Sequence, residues 1–328
     1  MTAVRPLRVV QFAEDENVHH RRFAQALRDR GHDVRTVLPG VDLGSPDVVL
    51  AGPLPDVAEA ALRATDAPLV AVSWGSDLLR DVPADPKLAE RTGRALARAA
   101  TVVVDSRAGE RAAIALGAAS DRVFRFPWGI DLDQHPLLPI PDRALRVVSL
   151  RSLVPEYRVD TLLRALALVP AITADIAGGG SEEERLRALS GDLGLTDRVR
   201  FHGRMAEDDI PGLLAGAHLH VSTTPTDGSS ISLLQALACG RPNVVVENAA
   251  NREWIEEGRT GWLVRAGDHE ALAVRLRSVA DDPSVLQPVA EAGRALALAH
   301  ADWRVNRELL WRAVETAAAG GGSGSAWN

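Results

Sequence analysis

At 328 residues the chain exceeds the ~250–300 residues at which single cores stop growing, which favours two domains. Its 46% hydrophobic and 25% charged residues are ordinary for a globular protein, and a net charge of −7 gives no general pull toward nucleic acid or an anionic membrane. One cysteine, Cys239, excludes an intramolecular disulfide or a cysteine-rich metal site; between Ala238 and Gly240 it reads as a buried, inert thiol at a helix end. No apolar run nears the ~20 residues of a transmembrane helix. Met1–Arg8 lacks the apolar core of a signal peptide. The expectation is a cytoplasmic protein with no integral membrane segment and no nucleic-acid partner, its oligomeric state left open.

Short β-branched runs alternate with Ala/Leu/Arg-rich helical patterns. Strands are expected at Leu7–Phe12, Val34–Leu38, Asp47–Leu50, Leu69–Ser73, Thr101–Val104 and Val123–Phe126, with helical spacing over Arg22–Arg30 and Ala89–Ala100. Nearly wholly apolar strands imply parallel pairing covered on both faces, hence an α/β fold with right-handed crossovers. The proline-rich stretch His135–Pro141 reads as a linker. Strands then resume at Leu145–Leu150, Ile172–Ile176, Val199–Phe201, Leu219–Ser222, Val244–Val246 and Trp262–Val264. This predicts two Rossmann-like domains, 1–140 and 141–300, facing across a cleft, with ligands at the carboxyl ends of the strands. A helical pattern over 301–318 and a Gly/Ser-rich flexible tail, 319–328, end the chain.

The most informative stretch is Pro225-Thr226-Asp227-Gly228-Ser229-Ser230-Ile231-Ser232-Leu233-Leu234-Gln235-Ala236-Leu237-Ala238-Cys239-Gly240-Arg241-Pro242. It leaves a strand, passes a polar turn and opens a helix that Gly240 stops and Pro242 keeps from resuming. One reading is a plain strand–loop–helix unit capped by Ser229 or Ser230. The other is that free amides at the helix start receive an anion such as a diphosphate.

This stretch resembles the signature of the large family of retaining GT-B glycosyltransferases that includes sucrose-synthase-like and bacterial mannosyl- and glucosyltransferases. That signature is a glutamate, seven residues, a second glutamate, then Ala-Met/Leu-Ala-Cys-Gly-x-Pro. Ile176-Ala177-Gly178-Gly179-Gly180-Ser181, Val199-Arg200-Phe201-His202-Gly203-Arg204 and Asn251–Val264 resemble further family motifs in the same order. The resemblance implies a GT-B fold, in which the last helix, here 301–318, commonly crosses back to the first domain, and transfer of a hexose from a nucleoside diphosphate sugar to a small-molecule or glycan acceptor, with retention. It implies no cofactor and no metal, the leaving phosphate itself taking the acceptor's proton.

By that resemblance the first glutamate, which holds the donor sugar's hydroxyls, falls on Asp227, and the second, which grips the ribose, falls on Gln235. Asp227 keeps the charge on a shorter arm; Gln235 keeps hydrogen-bonding capacity without charge assistance. The family's Gly-Arg-Leu-x-x-x-Lys-Gly, whose cations neutralise the diphosphate, aligns its Arg on Ser152 and its Lys on Tyr157, with Arg151 and Arg158 immediately beside them. Arg151 is the first candidate phosphate ligand and Arg158 the second; the alternative for each is an ordinary surface arginine. Gly179 and Gly180 let a donor approach closely, or simply form a turn with Ser181 as N-cap and Glu184 completing a capping box. Arg204, Ser229, Ser230, Ile231 and Ser232 complete the expected donor site.

The acceptor side is expected in the first domain. Asn17-Val18-His19-His20-Arg21-Arg22-Phe23 resembles the family's first loop, with His19 aligned best as a hydrogen-bonding or catalytic histidine and His20 beside it; the alternative for each is a capping or surface histidine. Trp74-Gly75-Ser76-Asp77 resembles a Gly-Ser-Asp turn, in which Trp74 offers a flat face to a sugar ring or packs beneath the site. In Pro127-Trp128-Gly129-Ile130-Asp131, Trp128 replaces the family's asparagine and reads as mainly structural, the alternative being a residue that lines the cleft.

Rival readings lack residues. Phe12 to Arg30 contains no glycine, against the Gly-x-Gly-x-x-Gly of a dinucleotide enzyme, and no P-loop, His-Glu-x-x-His or Gly-x-Ser-x-Gly occurs. The remaining alternative is a non-catalytic sugar-nucleotide-binding protein on the same fold, motivated by Asp227 and Gln235. An epimerase sharing the fold has no residues that select it.

Overall fold

The structure, a computed structural model, describes residues 5–13, 18–38 and 40–320. Two compact units emerge, one of residues 1–128 with 303–328, the other of residues 129–302. The expected tail lies, from residue 321, outside the described residues, as does Asn17.

In unit 1 the strands β1 (Arg8–Phe12), β2 (Asp33–Val37), β3 (Val48–Ala51), β4 (Leu69–Val72), β5 (Thr101–Val104) and β6 (Val123–Arg125) form one parallel sheet in the order β2-β1-β3-β4-β5-β6. Its helices are α1 (Val18–Asp29), α2 (Asp56–Ala64), α3 (Val82–Ala84), α4 (Pro86–Arg98) and α5 (Arg107–Ala115). One sheet face, with Val10, Phe12, Val49, Ala71 and Val102, packs on Val57, Ala58 and Ala61 of α2 and Ala95 and Leu96 of α4. The helix expected from Ala89 begins at Pro86, because Asp85 caps it by accepting from Lys87 N at 2.9 Å and proline suits a first turn.

Unit 2 repeats the plan with β7 (Arg146–Ser149), β8 (Thr173–Ala177), β9 (Val199–Gly203), β10 (Leu219–Ser222), β11 (Asn243–Val246) and β12 (Gly261–Val264), ordered β12-β11-β10-β7-β8-β9. Its helices are α6 (Val159–Ala167), α7 (Glu183–Asp192), α8 (Ile210–Ala215), α9 (Ile231–Ala238), α10 (His269–Asp281) and α11 (Leu286–His300). Val147, Ile176, Val221 and Val244 pack on Leu162, Leu163 and Leu166 of α6 and Leu272 and Leu276 of α10. Val148 lies on the opposite face with Ala236 and Cys239 of α9 and its end. Burial pushes the Cys239 thiol up to about 11, leaving it protonated and unreactive at neutral pH.

The last helix, α12 (Trp303–Ala318), belongs to unit 1, where Asn306 donates to the Pro127 carbonyl at 3.0 Å and Trp311 Nε1 to the Ala26 carbonyl at 2.7 Å. All twelve expected strands are present, shifted by at most two residues at their ends. One cap differs. Glu182, not Ser181, occupies the N-cap position of α7, without a side-chain bond. The turn is held instead by backbone bonds from Glu182 N to Leu153 O (2.8 Å) and Glu183 N to Gly180 O (3.2 Å). No helix among the described residues is long and apolar enough to cross a membrane.

The division between units falls at Trp128/Gly129, ahead of the proline-rich stretch, because that stretch is fastened to unit 2. Arg241 is fully buried, and its guanidinium donates to the carbonyls of Leu214 (2.9 Å), Leu138 (3.0 Å), Gly240 (3.0 Å) and Pro139 (2.7 Å). A buried carbonyl left without a donor costs ~1–3 kcal/mol. Arg241→Ala is therefore expected to lower stability by about 3 kcal/mol, read as a fall in denaturant midpoint. A midpoint unchanged from the parent protein would remove Arg241 as the fastener.

Candidate functional site

In both units the chain order reverses beside the first strand, between β1 and β3 and between β7 and β10. Such switch points, at the carboxyl ends of parallel strands, are where open α/β sheets form binding crevices. Some of the sequence candidates lie at these two places.

In unit 2 the segment after β7 carries Arg151 and the segment after β10 carries Asp227 to Ser232. The Arg151 side chain is 9% exposed. Its Nη1 donates to Ser230 Oγ at 2.6 Å and approaches Ser232 Oγ at 3.4 Å, and its Nη2 lies 2.8 Å from Asp227 Oδ2. Its Cζ stands 4.1 Å over the ring of Tyr157, the chain's single tyrosine. Ser230 holds the N-cap position of α9, yet its hydroxyl makes no cap bond and is turned to Arg151. Among the described residues, the first amides of α9 receive no cap bond from Ser230, and the positive end of the helix favours an anion. Ile231 is half-buried, Ser229 buried, and Gln235, 6% exposed, follows Ser232 by one helical turn. Among the described residues, the Gln235 carboxamide makes no hydrogen bond.

Two glycines have a structural reason. A Cβ on Gly178, at φ +151°, would lie 2.1 Å from the Arg151 carbonyl oxygen, and one on Gly180 would lie 2.3 Å from that of Leu153. The turn after β8 thus presses on the very backbone that presents Arg151. Gly180, expected to make room for a donor, makes room for the protein itself. Gly179 differs: a Cβ there would meet only ordinary contacts at 3.8 Å, with Arg204 Cβ and Glu183 Oε2. Arg204 is exposed at the end of β9.

Arg158 does not join the cluster. It adopts a left-handed conformation, φ 50°, at the start of α6, and its half-exposed guanidinium pairs with Asp160 at 3.4 Å. Arg151 pairs with Asp227 instead. Sequence reasoning missed His220, which is fully buried in the middle of β10. Asn243 Nδ2 donates to the Arg241 carbonyl at 3.2 Å, so its Oδ1 accepts from His220 Nδ1–H at 2.6 Å. Burial, aided by the Arg151 charge, holds this imidazole down to about 4 and therefore neutral. Its only sequence signal is a polar residue between Leu219 and Val221.

In unit 1, His19 stacks on Trp74, centroids 5.1 Å apart at 24°, and Trp74 meets Trp128 edge-on at 5.3 Å. Phe23 lies 5.2 Å from both tryptophans. Trp128 is buried and structural, whereas Trp74 and His19 stay partly exposed. Burial holds His19 down to about 4, with the charges of Arg22 and His20 adding to it. Two acceptor-side expectations are corrected. His20 is buried and donates Nε2–H to the Gly52 carbonyl at 3.0 Å, tying α1 to the end of β3. Asp77 is buried too, its carboxylate accepting from Ser73 Oγ (2.5 Å), Leu54 N (2.8 Å), Leu78 N (2.8 Å) and Trp74 N (3.3 Å). Burial pushes its carboxyl up to about 6 against those bonds. It shapes the turn that carries Trp74 and has no oxygen left for a ligand.

A family model described as Glycosyl transferases group 1 matches residues 133–296, half of the chain. A GDP-mannose-dependent α-(1-6)-phosphatidylinositol monomannoside mannosyltransferase of Mycolicibacterium smegmatis is 30% identical over 207 residues, 56% of this chain and 54% of that protein. The D-inositol 3-phosphate glycosyltransferase of Streptomyces avermitilis is 28% identical over 173 residues, 49% of this chain and 37% of that one. The chain spans about half the length, or less, of these curated relatives. Among solved structures, HepE of Anabaena in complex with UDP-glucose superposes with a TM-score of 0.78 at 19% identity, covering 93% of this chain and 98% of that one. Sucrose-phosphate synthase of Thermosynechococcus elongatus gives 0.77 at 17% identity, with the same coverages. These likenesses match the expected fold class, GT-B.

The depressed value of His19 has a measurable sign. A histidine that resists protonation in the native state costs stability as pH falls from the unfolded value of 6.5 toward about 4. The His19 Cε1 resonance is expected to titrate near pH 4; a midpoint near 6.5 would show that the imidazole is not buried against Trp74.

Proposed function

The chain belongs to the group 1 glycosyl transferases, and on that premise we propose that it moves a hexose from a nucleoside diphosphate sugar to an acceptor hydroxyl, with retention and without a metal. One observation carries this reading: a buried Arg151 and the uncapped start of α9 converge at the switch point of unit 2. A departing diphosphate there meets one guanidinium and a set of amides already held in place, so its growing charge is stabilised without reorganisation. Tyr157 beneath Arg151 and Ser230 beside it fix the guanidinium plane. Asp227 orients the sugar's hydroxyls and Gln235 receives the ribose diol. The bond from the anomeric carbon to the diphosphate breaks, the bond to the acceptor oxygen forms on the same face, and the acceptor's proton passes to the leaving phosphate oxygen.

His19 and Trp74 form the acceptor platform of unit 1. The indole of Trp74 offers an apolar face to a ring, and the His19 imidazole stacked on it is neutral. The named activities of the relatives, mannosyl transfer from GDP-mannose and glycosyl transfer to inositol phosphate, set the first donors and acceptors to try.

A second reading, donor binding without transfer, is favoured by the loss of the acid at Gln235. A screen of UDP-, GDP-, ADP- and dTDP-sugars by calorimetry, then a hydrolysis and transfer assay with the donor that binds, separates the two. Tight binding without turnover on any acceptor selects the second.

Arg151→Ala is expected to cut kcat about 100-fold while changing donor affinity less, because leaving-group charge peaks in the transition state. Unchanged kcat would remove Arg151 from the reaction. For Gln235→Glu, a charge-assisted bond is about twice as strong as a neutral one, so donor affinity should hold or rise. A collapse of binding would place the ribose elsewhere.

A further inference from the structure

Without a ligand, Arg151 is already spoken for. Its guanidinium is nearly sealed from solvent, and a sealed charge requires a counter-charge. Asp227 supplies it at 2.8 Å. The other candidates do not relieve this pairing: Arg158 pairs with Asp160, and His220 is held neutral by burial. The pair Arg151–Asp227 thus carries one charge of each sign and no net attraction for an anion.

We propose that the Arg151–Asp227 ion pair is a latch that the diphosphate opens. This rests on the donor-site reading above. A diphosphate entering at α9 brings a second anion to the same guanidinium, and the two anions repel each other at that range. The stronger, multiply charged ligand takes Nη2, and Asp227 is displaced. Asp227 is suited to move: it lies on the loop between β10 and α9, its side chain is 19% exposed, and among the described residues its Oδ1 is held only by the amide of the next residue, Gly228, at 3.0 Å. Once released, its carboxylate is an unpaired acceptor beside the bound diphosphate, where the hexose hydroxyls lie. Phosphate recognition therefore precedes and creates sugar recognition. Asp227 acts first as competitor of the diphosphate and then as ligand of the sugar.

The two roles predict opposite effects of one substitution. Asp227→Asn and Asp227→Ala, each checked for folding by circular dichroism, are titrated calorimetrically with UDP, GDP, ADP and dTDP beside the parent protein. The nucleoside diphosphate that binds the parent is expected to bind both variants roughly three- to tenfold more tightly, since a competing anion is gone. Turnover of the corresponding sugar nucleotide is expected to fall in the same variants. Equal or weaker nucleoside diphosphate binding in both folded variants overturns the latch while leaving the donor site standing. No nucleoside diphosphate binding by the parent or the variants overturns the donor-site reading and the latch together.

Discussion

A guanidinium removed from water must have its charge met, and much of unit 2 around Arg151 is arranged to that end. The hydroxyls of Ser230 and Ser232 take Nη1, Asp227 faces Nη2, and the Tyr157 ring covers the flat side. Burial strengthens each of these contacts relative to water, and it also makes any one of them costly to lose. The same low dielectric gives the arginine its use, because a phosphate oxygen brought to it there is stabilised far more than at an exposed surface.

The supporting backbone follows from this demand. Gly178 and Gly180 bring the turn after β8 against the carbonyls of Arg151 and Leu153, distances that no side chain would permit. Leu153 N closes the contact by donating to the Gly179 carbonyl at 3.0 Å. The glycine run that reads as a place for a ligand is thus mostly a brace for the segment that presents Arg151. Ser230 shows the same priority. A serine at an N-cap position ordinarily serves its own helix, and here it serves the arginine and leaves the helix amides open.

The fold was legible because its signals are local. Apolar runs such as Thr101–Val104 and Leu219–Ser222, separated by helical periodicity, specify covered parallel strands almost residue by residue. Residue partnerships were not legible, because they depend on distance in space. Asp77 and His20 stand in motifs that look functional, yet each is tied to a backbone group far away in sequence, Asp77 to the Leu54 amide and His20 to the Gly52 carbonyl. Arg158 stands, like Arg151, beside an expected cation position and is the second candidate by sequence. A left-handed backbone and a neighbouring aspartate set it apart. His220 carried almost no signal, since a lone histidine in an apolar strand declares neither its tautomer nor its partner.

The departures from the family pattern acquire a common logic when charge is considered. The pattern the sequence resembles sets two cations against two acids. Here Tyr157 stands at one cation position, Arg158 is engaged by Asp160, and one buried cation, Arg151, remains. Without a donor, two acids beside a single buried guanidinium would leave one carboxylate without a cation, which disfavours the ionised group until a ribose diol supplies its hydrogen bonds. Gln235 removes that second charge while keeping a hydrogen-bonding carboxamide on the α9 face that also carries Ser232. Asp227, one methylene shorter than glutamate, places the remaining carboxylate directly on Arg151. The loss of an acid, the loss of a cation and the close ion pair are three parts of one balance, and a change at any of the positions 151, 157, 227 or 235 alters the conditions on the other three.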